Sequence, residues 1–149
     1  MIFNTRALWL ICGILIAPPA GADASPSPAP SAAADSNYVA GEKAVKAKDW
    51  KTAIGRLNSA KLNADVYNLL GYANRNLGNY DEAFRNYKLA LQADPNHRGA
   101  HEYVGEAYLL TNNLPMAEQH LASLERICGK GCEEYKDLAH EVAEFKKKK

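Results

Sequence analysis

Cysteine, methionine and tryptophan are scarce in this chain, at 3, 2 and 2 among 149 residues. So few sulfur ligands exclude a disulfide-dense scaffold and a multi-cluster metalloprotein. Charge of one sign is not in excess either. The 18 Lys and Arg are met by 17 Asp and Glu, which leaves no basic field for nucleic acid. A Gly-rich phosphate loop, a Ser nucleophile motif, a paired-carboxylate constellation and a C-x-x-C-H haem attachment are all missing. Those absences speak against an enzyme and against a bound cofactor. What remains is ordinary globular composition, at a length that suits one small domain or a short repeat array.

A long hydrophobic run is lacking too. The apolar stretch from Ala7 to Ala17 has eleven residues, whereas a bilayer-spanning helix needs about 20. Arg6 precedes it, Pro18-Pro19 stop it, and Ala20-Gly21-Ala22 offers a small-residue exit. This is the pattern of a secretory signal peptide over residues 1–22, cleaved near Ala22. Leu10 and Ile11 are too bulky for Cys12 to be a lipid-modified cysteine. Cleavage removes Arg6 and Cys12 and leaves a mature chain with no transmembrane segment, 17 basic and 17 acidic side chains, and two cysteines. Residues 23–36, rich in Ala, Ser and Pro, read as a disordered linker.

From there the chain repeats itself. A shift of 34 residues brings Gly71 onto Gly105, Ala73 onto Ala107, Tyr80 onto Leu114, Ala83 onto Ala117 and Tyr87 onto Leu121. A shift of 30 brings Gly41 onto Gly71, Trp50 onto Tyr80 and Leu57 onto Tyr87. The same 34-residue shift sets Tyr135 against His101, Leu138 against Val104 and Val142 against Tyr108. A period near 34 with two helices per unit is a solenoid signal. The middle unit reads Tyr67-x-x-Leu70-Gly71-x-x-Asn74, then Gly78-Asn79-Tyr80-x-x-Ala83, then Tyr87-x-x-Ala90 and Asp94-Pro95. It resembles the tetratricopeptide (TPR) repeat, with Asn74 standing where that family usually has an aromatic. The resemblance implies an all-α, right-handed solenoid: three helix-turn-helix units at about 34–63, 64–97 and 98–131, then a capping helix over 132–147 with a Lys-rich tail. The glycines would let paired helices approach closely. Gly78 would end a helix in the left-handed region, and Pro95 would break the chain between units.

In the TPR family the first helix of each unit lines a concave groove that takes an extended or helical segment of another protein. Carried over, the resemblance nominates Tyr38 and Glu42 from the first unit, Asn68, Tyr72, Arg75 and Asn76 from the second, and Glu102 and Glu106 from the third. Val45, Lys46, Leu109 and Leu110 lie alongside. Truncating Tyr72 or Arg75 should weaken partner binding and leave the fold intact. The mode in which family members clamp a C-terminal carboxylate is excluded, because Tyr38, Glu42, Leu69, Gly99 and Tyr103 occupy the places that need Lys, Asn and Arg. A TPR array behind a signal peptide points to a periplasmic, non-enzymatic adaptor or assembly factor. Self-association of the array is a further possibility.

Cys128 and Cys132 bracket Gly129-Lys130-Gly131 just before the last helix. In an exported chain the pair reads as a disulfide stapling that helix to the third unit, worth roughly 2 kcal/mol for so small a ring. The alternative is a thiol–disulfide or metal-handling protein that uses this loop, although the spacing is not C-x-x-C and no further ligand is close in sequence. His97 and His101, four apart, read as surface histidines, and His120 and His140 carry no signal. Lys146 to Lys149 compensate a helix C-terminus.

Overall fold

The computed structural model describes residues 35–148. The expected signal peptide, the linker as far as residue 34, and Lys149 lie outside them. The chain divides at Ala32 into two units, and the description below concerns the second.

Among the described residues there are seven helices and no strand: α1 Ser36–Lys46, α2 Trp50–Leu57, α3 Ala64–Asn76, α4 Tyr80–Ala93, α5 Arg98–Leu110, α6 Leu114–Cys128 and α7 Glu133–Lys147. None is long and apolar enough to cross a membrane. The odd-numbered helices pack against one another in succession, α1 on α3, α3 on α5 and α5 on α7. Each even helix packs between the odd helix before it and the one after it. The result is an all-α solenoid of paired helices with α7 completing the odd layer.

Short polar side chains start most of these helices. The Asp35 carboxylate accepts from the Asn37 and Tyr38 amides, Asp49 from Thr52, Asn63 from Val66 and Asn113 from Met116, the N-caps that free helix N–H groups require. Asp35 and Ser36, expected in the linker, therefore belong to α1. Asp35 also accepts from the Lys61 amide, which ties the start of α1 to the junction before α3. Cys132 before α7 and Asn79 before α4 make no such cap; the Asn79 amide donates instead to Asn74. Asn74 is buried and donates in turn to the Leu70 carbonyl at 2.9 Å. The residue that departs from the family pattern thus uses a hydrogen bond where an aromatic would use area.

The turn inside each unit passes through the left-handed region at one residue: Lys48 at φ 57°, Gly78 at φ 79° and Asn112 at φ 62°. Only the middle unit has glycine there. Asparagine tolerates the conformation and lysine does so poorly. Lys48→Gly should therefore stabilise the protein by about 0.5–1 kcal/mol, with a smaller gain for Asn112→Gly. Urea unfolding of the two variants beside wild type measures both.

The core is built at the crossings. Ala53, Ala83 and Ala117 are fully buried at the corresponding point of the three even helices. On the odd helices, a Cβ on Gly41 would lie 2.6 Å from Leu57 and one on Gly71 2.5 Å from the Tyr87 ring. At Gly105 the intruding side chain is Leu138, at 2.5 Å. It comes from α7, not from α6, where the repeat shift places Leu121. The last helix is thereby seated against α5, with Leu138 and Val142 buried beside Leu109 and Leu124.

Candidate functional site

The odd layer presents a concave pocket of 390 Å³ between α3, α5 and α7, lined by Arg75, Asn76, Glu106, Leu109, Leu110, Glu141, Glu144, Phe145 and Lys148. Its floor is polar. Arg75 on α3 forms an ion pair with Glu106 on α5, their side chains only 10% and 21% exposed. Its walls are apolar: Leu109, Phe145 and Leu110, the last 61% exposed. Glu141, Glu144 and Lys148 form the rim.

Beneath the pocket an aromatic ladder crosses all three units. Trp50 meets Tyr72 edge-on with ring centroids 5.7 Å apart, and Tyr72 meets Tyr103 at 4.7 Å. The Arg75 guanidinium lies over both tyrosines, 5.0 and 5.5 Å from their centroids. These contacts are typically worth about 0.5–1.5 kcal/mol each. Tyr72 and Arg75 consequently rivet neighbouring units together, so truncating either one loosens the solenoid as well as altering the groove. A surface residue such as Leu110 is the cleaner probe of binding.

The sequence candidates separate into three groups. Arg75, Asn76 and Glu106 share the pocket, and Tyr72 lies under it. Glu102, one turn before Glu106, is half-buried beside it. Burial, reinforced by the carboxylates of Glu106, Asp137 and Glu134, pushes its pKa up to about 8. Asn68 is buried, and its Oδ1 has no hydrogen-bond partner. Tyr38 and Glu42 sit on α1 and do not reach the pocket. Burial and the nearby Glu42 and Asp65 carboxylates raise the Tyr38 hydroxyl to about 12. The residues the sequence did not nominate, Glu141, Glu144, Phe145 and Lys148, come from α7 and the residue that caps it. Their signal was the match of α7 onto α5 at a shift of 34, which makes the last helix a groove wall as well as a cap.

Cys128 and Cys132 are bonded, with Cα atoms 5.9 Å apart. Gly129, at φ 72°, sits at the tight exit from α6. A carboxylate oxygen of Glu134 lies within 4.8 Å of both sulfurs, and Glu134 also pairs with Arg98 at 3.4 Å.

The histidines differ from the surface reading. His97 caps α5, its Nδ1 accepting from the Ala100 amide at 3.0 Å, so its Nε2 proton is free to meet Asp65 of α3 at 3.1 Å. His101 is 8% exposed. Its Nε2 lies 3.0 Å from the Pro95 carbonyl and its Nδ1 2.9 Å from Nδ1 of His120. The carbonyl can only accept, so His101 Nε2 carries the proton and His120 donates to His101 Nδ1. Sequence spacing hid this pair because the two rings come from different helices, nineteen positions apart.

Residues 64–97 match the tetratricopeptide repeat family model. The fold is similar to that of PcrH in the crystal structure of PcrH in complex with the chaperone binding region of PopB. The TM-score is 0.61 at 20% identity, over 73% of this chain and 90% of that one. No curated protein matches the sequence. The central unit thus matches the tetratricopeptide repeat, and it sits within a helical fold similar to that of PcrH.

Proposed function

We propose that this protein is a non-enzymatic interaction module, an adaptor or assembly factor that grips an extended or helical segment of another protein in its concave groove. The observation that carries the reading is the pocket between α3, α5 and α7. It joins an exposed leucine and an aromatic wall to a preformed polar floor, which suits one anchoring apolar side chain and the backbone around it. PcrH, whose fold is similar, is seen in complex with the chaperone binding region of PopB, which supports an interaction role for this fold. The reading includes export to the periplasm, which rests on residues 1–22 and the two remaining cysteines.

A photo-crosslinking amino acid at Leu110 tests the groove. It is expected to capture a partner in cells that the same group at Gln119, exposed on α6 and outside the pocket, does not capture. Identical capture from both positions would remove the groove from the argument. In the same cells, fractionation and N-terminal sequencing should find the mature chain in the periplasm, starting at Asp23. An unprocessed chain in the cytoplasm contradicts export and leaves the groove test intact.

A further inference from the structure

The groove carries a charge imbalance that its own side chains do not correct. Carboxylates line the α5–α7 side of it: Glu106, Glu141 and Glu144 stand in the pocket, and Glu102 on α5 feels Glu106 together with Asp137 and Glu134 of α7. Some are matched by cations: Arg75 pairs with Glu106, Arg98 with Glu134 and Lys147 with Glu144. Among the described residues no ion pair reaches Glu102, Asp137 or Glu141. Lys148 shares the rim with Glu141 and Glu144 without pairing to either. Of the unmatched carboxylates, Glu141 shares the pocket with the exposed Leu110 and with Phe145, and Glu102 and Asp137 lie two turns earlier along the same two helices.

Resting on the groove reading above, we propose that the occupant is a basic amphipathic segment of a partner protein. Its apolar side chain would seat against Leu110 and Phe145, and its Lys or Arg side chains would meet Glu102, Asp137 and Glu141. Charge complementarity selects this partner. A carboxylate held half out of water among like charges is costly to ionise, and an arriving ammonium or guanidinium removes that cost by forming a charge-assisted hydrogen bond. An acidic segment would instead add like charges to a wall that already repels itself. Glu102 shows the strain of the empty arrangement: burial and the carboxylates of Glu106, Asp137 and Glu134 outweigh Arg75 in setting its protonation. Maintaining such a group at the expense of stability fits a residue kept for binding.

The test uses the purified chain and three short fluorescent peptides of one pattern: Leu with Lys, Leu with Glu, and Ser with Lys. The Leu/Lys peptide is expected to bind, with affinity falling as salt rises. The other two should bind at least about tenfold more weakly. The variant Glu102→Gln/Asp137→Asn/Glu141→Gln should bind the Leu/Lys peptide about tenfold more weakly, with an unchanged circular dichroism spectrum and a higher Tm. Should that triple variant fail to fold, Glu141→Gln alone, at an exposed position, should still weaken binding measurably. Equal binding of the Leu/Lys and Leu/Glu peptides, undiminished binding by the carboxylate variants, or no binding of the Leu/Lys peptide at all would overturn the proposal. Equal binding that is lost in Leu110→Glu would leave the groove reading standing and remove only the basic partner.

Discussion

Replacing Gly71 with alanine is expected to destabilise the protein by about 2–3 kcal/mol, one of the largest effects of any single methyl group in this chain. The added Cβ would lie 2.5 and 2.6 Å from two carbons of the Tyr87 ring. That ring has no room to retreat: Tyr87 is fully buried and packed with Ala83, Val104 and Ala107. Alanine's better helix propensity, about 1 kcal/mol over glycine, offsets only part of the overlap. A double-mutant cycle with Tyr87→Ala isolates the cause. Tyr87→Ala alone leaves a large cavity and should cost about 3–5 kcal/mol. If the ring is what the methyl strikes, the pair should lose at least about 1 kcal/mol less than the sum of the single losses. Strict additivity would place the strain elsewhere.

The same device recurs, and its recurrence shows how far the sequence could be followed. Gly41, Gly71 and Gly105 align under the repeat shifts, as do Leu57 and Tyr87, and two of the three glycine contacts are the ones the alignment implies. The third is not. Gly105 receives Leu138 because α7 takes the place beside α5, and a pairwise shift of the chain against itself carries no information about which of two following helices fills a gap. That exchange also brings α7 into the groove. Four of the nine pocket-lining residues, Glu141, Glu144, Phe145 and Lys148, therefore escaped the sequence reading, while Arg75, Asn76 and Glu106 had been nominated by carrying the resembled family's groove positions over. Repeat position likewise could not show that Arg75 and Tyr72 face neighbouring units as much as the groove. Ion pairs and ring contacts between elements far apart in sequence are tertiary facts.

The buried histidines and Glu102 together should give the protein an unusual pH profile. Burial, with the neighbouring His101, lowers the His120 pKa to about 4. Burial also lowers His101, with Arg126 and His97 acting the same way and the Pro95 carbonyl and Asp94 opposing. A histidine depressed in the folded state is neutral there while its unfolded counterpart takes up a proton. His120 therefore contributes stability that is complete above pH 6.5 and is lost as pH falls toward 4. Glu102 works in the opposite sense. With its folded pKa near 8, the folded state holds a proton that the unfolded chain has released, so the protein gains stability as pH falls from 8 toward 4.5. For partly exposed groups each slope should be about 1 kcal/mol per pH unit, below the full 1.36. Stability measured by urea unfolding is then expected to rise from pH 8 to 6.5 and to run nearly level from 6.5 to 4.5, where the two slopes cancel. Below that it should fall, as His120 finishes titrating and the hydrogen-bonded carboxylates of Asp35 and Asp49, both held below the usual range, begin to protonate. Glu102→Gln removes one of the opposing slopes. The variant should be more stable than wild type by about 3 kcal/mol at pH 8, the advantage should vanish near pH 4.5, and its stability should decline steadily from pH 6.5 downward. Adding His120→Asn, which keeps an N–H donor for His101 but cannot titrate, should lower stability throughout and flatten that decline. A wild-type profile that already falls steeply between pH 6.5 and 4.5 would mean that Glu102 is ionised in the folded protein, and the steady decline would then belong to the histidine pair alone.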